Sequence, residues 1–243
     1  MLSSFKKKTN TTDIIFRCVG PETLVEYFAP TKSMTRLPDW FSKIKKHDPR
    51  GNTMRQCPGF IELFKKSISI PMWQDMSLTY RDAEIQHIDI PSKNFGGKDG
   101  TNILNVVQQH HPYQWANQWE NHAHIKLMNP WIVQCKKPIP FLLHDPTWHK
   151  EKITDWQVVP GVNEFVVNSV LHLNMYLPRY KKEKTVEWQA GDIMAYLTPL
   201  VDTKINIIVE QVSTEEYMRQ SKFIFANSYP KSLQRINKIL RKC

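Results

Sequence analysis

Phe165-Val-Val-Asn-Ser-Val-Leu-His-Leu-Asn-Met-Tyr-Leu177 is the stretch that decides the fold class. Its later apolar residues, Leu171, Leu173, Met175 and Leu177, fall at every second position. Only an extended strand places such a set on one face. The same reading continues through Ile125–Leu127, Trp131–Cys135, Ile139–Leu143, Trp156–Val159, Thr185–Trp188, Ile193–Thr198 and Ile205–Val212. Short β-type runs about ten residues apart, with Pro, Gly or Asn between them, mark a sandwich or barrel. The sequence therefore predicts a mainly β (α+β) fold, an antiparallel β-sandwich or barrel with peripheral helices.

The first half adds strands and short helices to this body. Asp13–Val19 reads as a strand, Pro21–Ala29 as one or two helical turns, and Pro30–Asp39 as a loop. A helix is expected to start near Pro58, because proline is tolerated at the first helical position, and Phe60, Ile61 and Phe64 then share a face. Ser67–Met72 is a short strand, and Met76–Tyr80 and Glu84–Ile90 are expected to pair antiparallel about Arg81-Asp82. The glycine-rich run Asn94–Gly100 reads as a loop. Thr214-Glu-Glu opens a short helix with acids at its positive end. Pro230–Lys242 reads as an amphipathic helix with Leu233, Ile236, Ile239 and Leu240 on one stripe. The expected organisation is a flexible basic arm (1–12), one β-rich domain (13–212) and a helical extension (213–243).

Composition sets the bounds. The 243 residues carry a formal charge of +10, which attracts nucleic acid, anionic surfaces or acidic proteins. Sixteen prolines against eight glycines favour many short elements over a few long helices. The four cysteines lie far apart and form no Cys-x-x-Cys pair, so a thiolate zinc site is not expected and reduced thiols are. Met1–Thr12 is polar and basic, without the apolar region of a secretory signal, and no apolar run reaches the ~18 residues of a membrane span. A soluble, intracellularly made chain is the expectation.

Six of the nine histidines and five of the eight tryptophans fall within Gln108–Trp156. His122-Ala-His124 on a strand puts two imidazoles on one face, half of a cupin-like metal site, although Ile125–Val133 lacks the carboxylate that would follow. His87-Ile-Asp89 has the spacing of an Fe(II) facial triad that His144, His149 or His172 would complete, with Arg179 as a loose match for an oxo-acid arginine. A surface pair in a wet loop or strand is the plainer reading of His122 and His124, and the His-x-Asp spacing of His87 and Asp89 often arises by chance. His144-Asp145, before Pro146, is an acid–base neighbour pair or an Asx-type turn. Tyr113, Trp115, Trp119, Trp131, Trp148 and Trp156 would make a stacking platform or core packing. Lys43, Lys45 and Lys46 form a solvated basic face just after Trp40-Phe41. Arg235 and Lys238 on the last helix would hold a phosphate backbone or an acidic partner. No nucleophile elbow, Walker loop, dinucleotide fingerprint or His-Glu-x-x-His is present.

Cys57-Pro-Gly-Phe, Ile70-Pro-Met-Trp-Gln-Asp-Met, Asn129-Pro-Trp-Ile-Val, Val159-Pro-Gly-Val and Ala190-Gly-Asp-Ile-Met-Ala-Tyr-Leu-Thr-Pro-Leu occur in this order. In that order they resemble an uncharacterised protein family of tailed phages, many from marine cyanobacteria and other marine bacteria. The likeness covers roughly Asn52 to Leu200, and departs from the family's pattern at Asp192 and Asn163. It implies a viral origin, in the host cytoplasm during infection or in the virion, and little mechanism. The C-terminal half is also similar to the β-clip of dUTPases and dCTP deaminases, but Gly161-Val-Asn-Glu-Phe lacks the aspartate of their Gly-x-Ile-Asp turn. The expected function is a phage accessory or virion-associated binding protein with a protein partner or self-assembly. A divalent-metal enzyme and a nucleic-acid-binding protein are the alternatives.

Overall fold

A computed structural model describes residues 11–82, 84–90, 106–110, 121–151, 155–166 and 168–220. The protein is mainly β and sandwich-like, and the sheets do not close into a barrel. The first sheet has the order β11 (Gln157–Val158), β13 (Ser169–Pro178), β9 (His122–Cys135), β1 (Thr11–Cys18) and β16 (Lys204–Gln211), with β8 (Val107–Gln109) also on β9. The second runs β12 (Gly161–Glu164), β10 (Pro140–His144), β15 (Ile193–Pro199), β5 (Ile68–Pro71) and β2 (Thr31–Lys32). A third pairs β14 (Lys184–Trp188), β6 (Met76–Arg81) and β7 (Glu84–Asp89). A small hairpin joins β3 (His47–Asp48) to β4 (Gly51–Asn52).

One apolar core is shared by all three sheets. Phe16, Trp131 and Leu173 enter it from the first, Phe141, Leu197 and Ile70 from the second, and Leu78, Tyr80 and Trp188 from the third. The period-two pattern creates this directly: along β13 Leu171, Leu173, Met175 and Leu177 are buried while the residues between them are half-buried. Each fully buried side chain of this size contributes roughly 1.5–3 kcal/mol.

Three expectations need correction. Ile125–Leu127 and Trp131–Cys135 are one strand, β9, because Asn129-Pro130 forms an irregularity instead of a break. Across it Val170 pairs with Ile132 while His172 pairs with Met128, so β9 carries extra residues there. Pro130 can then lack an N–H, and the Asn129 Oδ1 accepts the Trp131 amide at 3.1 Å. Phe165–Leu177 is not one strand. The chain leaves the second sheet at Glu164 and joins the first at Ser169, and the buried Phe165 marks the crossing, its carbonyl accepting the Cys135 amide. The sheets are also not purely antiparallel, since β1 and β16 pair in parallel along all eight residues.

The helices are short. They are α1 (Glu22–Tyr27), α2 (Asp39–Lys43), α3 (Pro58–Lys66) and the helical residues 214–220. Pro58 opens α3, where its missing N–H costs nothing, and Phe60 and Phe64, one turn apart, are its buried residues. The Ser213 Oγ accepts the Glu216 amide, and Tyr217 is buried with Val19 and Ile132 against the outer face of the first sheet. No helix among the described residues is long and apolar enough to cross a membrane. Asn94–Gly100, the arm before Thr11 and the helix expected over Pro230–Lys242 lie outside the described residues.

Candidate functional site

The first sheet gathers histidines on its outer face. His122 and His124 alternate on β9, and pairing with β13 sets Pro178 opposite His122, Tyr176 opposite His124, Asn174 opposite Lys126 and His172 opposite Met128. Directly opposed residues share a face. His110, just past β8, donates its amide to the His124 carbonyl at 3.0 Å, and the two rings stack at 4.4 Å. His124 is only 5% exposed, and burial, reinforced by neighbouring His110, lowers its pKa to about 4. Burial and the Lys126 charge take His172 to about 4 as well. Both imidazoles are therefore neutral near pH 7.

These residues do not converge on one ion. His172 stands two same-face rungs from His124, about 13 Å along the strand, with the Lys126–Asn174 rung between them. His87 and Asp89 are exposed on β7 in the third sheet, with His87 opposite Thr79. Among the described residues no three His, Cys, Asp or Glu side chains are placed to hold a metal. Arg179 faces Asp82 at 3.6 Å at the turn between β6 and β7.

The second sheet has a polar network on its outer face, beneath α3. His149 Nδ1 lies 2.5 Å from the Tyr196 hydroxyl and Nε2 lies 2.8 Å from the Arg36 carbonyl. A carbonyl only accepts, so Nε2 carries the proton, and Tyr196 donates to Nδ1. Burial lowers the pKa of His149 and raises that of Tyr196, which keeps this tautomer neutral. His144 Nε2 meets the Thr198 hydroxyl at 3.0 Å, and Thr198 meets Ser67 at 2.6 Å. His144 and Asp145, neighbours in sequence, serve different partners. Asp145 accepts from Lys150 at 2.5 Å, from the Val158 amide and from Thr147. Lys150, its side chain 3% exposed, also donates to the Trp156 carbonyl and sits 3.8 Å over that indole. The polar atoms in these contacts are engaged with one another or with backbone groups.

Above this network lies an aromatic and basic cap. Trp40 of α2, Phe60 of α3 and Trp148 of the turn Thr147–His149 form a triangle with ring separations of 5.2–5.9 Å. Phe41 stacks on Phe60 at 4.9 Å, and the Arg55 guanidinium lies 5.7 Å over Phe41. The Trp40 indole N–H donates to the Trp148 carbonyl at 2.8 Å, which ties the Trp40 ring to the backbone of the turn. Trp148 remains 36% exposed and Met34 41%. Residues 32–66 hold nine Lys or Arg against three Asp or Glu, six of the chain's ten net charges. Exposed Lys43, Lys45 and Lys46 form no ion pair with the described residues, whereas Arg50 pairs with Asp48, Lys65 with Glu62 and Lys66 with Asp202.

No family model, curated protein or solved structure matches this chain. Of the aromatic residues singled out in the sequence, Trp148 is on the surface, whereas Trp131 is fully buried edge-on to Phe16 and Trp156 is buried against Trp188. Trp131 is thus core, because it shares the inward parity of β9 with Leu127 and Val133. Tyr113, Trp115, Trp119, Arg235 and Lys238 lie outside the described residues. Trp40 and Phe60 are the cap residues that motif reading did not select. The signal was present in Trp40-Phe41 followed by three lysines, but the partner ring, Trp148, is 108 residues away.

Proposed function

We propose that this chain is a phage-encoded accessory or virion-associated protein that binds a polyanionic partner through the cap over its second sheet. The observation that carries this reading is the packed triangle of Trp40, Phe60 and Trp148, with Trp148 36% exposed and the exposed Lys43, Lys45 and Lys46 following Trp40-Phe41 in the chain. Large rings fixed by packing offer contact area without loss of side-chain freedom, and the cations around them steer a negatively charged partner. The phage origin rests on the ordered motifs from Cys57 to Leu200 and their resemblance to tailed-phage proteins. A metal-dependent activity would need a ligand set that the described residues do not assemble.

Retention on heparin tests the reading. The variant Lys43→Glu/Lys45→Glu/Lys46→Glu is compared with Lys136→Glu/Lys181→Glu/Lys182→Glu, which changes net charge equally at exposed positions away from the cap. The cap variant should elute at clearly lower salt than the control. Co-elution of the two would mean that only overall charge matters, and the cap would lose its role.

A further inference from the structure

We infer that the polyanion held by the cap is single-stranded nucleic acid, with unpaired bases stacking on Trp148 and Trp40 and phosphates meeting Lys43, Lys45 and Lys46. This rests on the cap being the contact face. Three features on that face select the ligand. The first is the pairing of exposed ring surface with cations that form no ion pair among the described residues. Trp148 is 36% exposed at the edge of the cluster, against Trp40 and Phe60, and the three lysines follow Trp40-Phe41 along α2 and beyond it. A single strand presents a base face and a phosphate at every nucleotide and so matches both features at once. An acidic peptide would use the lysines and leave the rings idle. A duplex keeps its bases stacked on one another and would likewise meet only the charges.

The second feature is rigidity. The only polar side-chain atom of Trp40 is committed to the Trp148 carbonyl, and the Phe60 ring stacks against both Phe41 and Phe64. The Trp40 indole is consequently held in place before a ligand arrives and Trp148 packs on it and on Phe60, so little rotamer freedom is lost on binding. The third is Arg55. One guanidinium N–H donates to the Ile44 carbonyl at 3.2 Å while the group lies over Phe41, which leaves further donors for a phosphate oxygen beside the ring.

Fluorescence anisotropy with labelled oligothymidine and oligouridine, a duplex of equal length, and polyglutamate as competitor tests the inference. Wild type should bind at least one oligomer about tenfold tighter than the duplex, with polyglutamate competing poorly. Trp148→Ala should weaken binding about tenfold with the salt slope unchanged, since stacking carries no counterions. Trp148→Phe keeps a ring and should recover most of the affinity. Lys43→Glu/Lys45→Glu/Lys46→Glu should weaken binding and flatten the log–log salt slope by about 2, the value for three phosphate contacts to a single strand. Thermal melting of each variant reports on folding, and the Phe variant keeps the test valid if the Ala variant melts early. The inference is overturned if neither oligomer binds, if Trp148→Ala and wild type bind alike, or if polyglutamate competes as well as unlabelled oligomer. Heparin retention that still depends on the cap lysines in those cases would leave the contact face standing and remove only the nucleic-acid assignment.

Discussion

At the scale of single residues, His124, His144, His149 and His172 are buried imidazoles whose pKa values burial lowers. His149 bridges Tyr196 and the Arg36 carbonyl in one enforced tautomer. Tyr196→Phe removes the donor to Nδ1 and leaves a buried acceptor unmatched, so it should cost about 1–3 kcal/mol in urea unfolding. A loss within error would mean that the bond contributes nothing. The pH dependence has a definite sign. His124, His144, His149 and His172 all have depressed pKa values, so between the unfolded-state value of 6.5 and the folded values, about 4 for His124 and His172, the unfolded chain binds more protons. Stability is fully present above pH 6.5 and falls as the pH drops toward 4, by up to about 1.4 kcal/mol per unit for each histidine titrating there. Flat stability from pH 7 to pH 4.5 would contradict this. Metal removal belongs at the same scale. Since the described histidines do not converge, dialysis against a chelator should leave the melting temperature unchanged. A fall of several degrees would reopen the reading of His122 and His124 as ligands.

At the scale of elements, the decisive features are the irregularity in β9 and the covering helix α3. Asn129→Ala deprives the buried Trp131 amide of its acceptor and should destabilise the protein by about 1–3 kcal/mol, while Phe64→Ala, which empties the space between α3 and Tyr196, should cost about 3–5 kcal/mol. Equilibrium denaturation of both variants checks the order. The reverse ranking would mean that α3 is only loosely applied to the sheet. Most strands were legible in the sequence because each buries one face, and alternation reports that directly. Leu171, Leu173, Met175 and Leu177 are the clearest instance. The Asn129-Pro130 continuation and the Phe165 crossing were not legible, because both depend on which neighbour supplies or withholds a hydrogen bond. A local pattern carries no record of that. The parallel pairing of β1 with β16 is of the same kind, since it joins the two ends of the described chain.

At the scale of the whole molecule, the two outer faces differ in chemistry. The first sheet turns a histidine-rich face outward, with His124 and His172 held neutral by burial, and the second sheet carries the cap, built in part from residues 32–66, which hold six of the ten net charges. Sequence reading located the chemistry-bearing residue types but placed the centre of interest on the histidine cluster. Trp40, Phe60 and Trp148 become one surface only because α2, α3 and the turn after β10 are laid over the same sheet. Trp148 was singled out for its type alone, and its partners came from the fold. The proposed contact face is the cap. Hydrogen–deuterium exchange with and without an oligothymidine of about 16 nucleotides tests it most directly. Protection is expected in residues 39–56 and 147–150, with β9 and β13 unchanged. Protection confined to the histidine face of the first sheet, or to residues 230–242, would contradict the account.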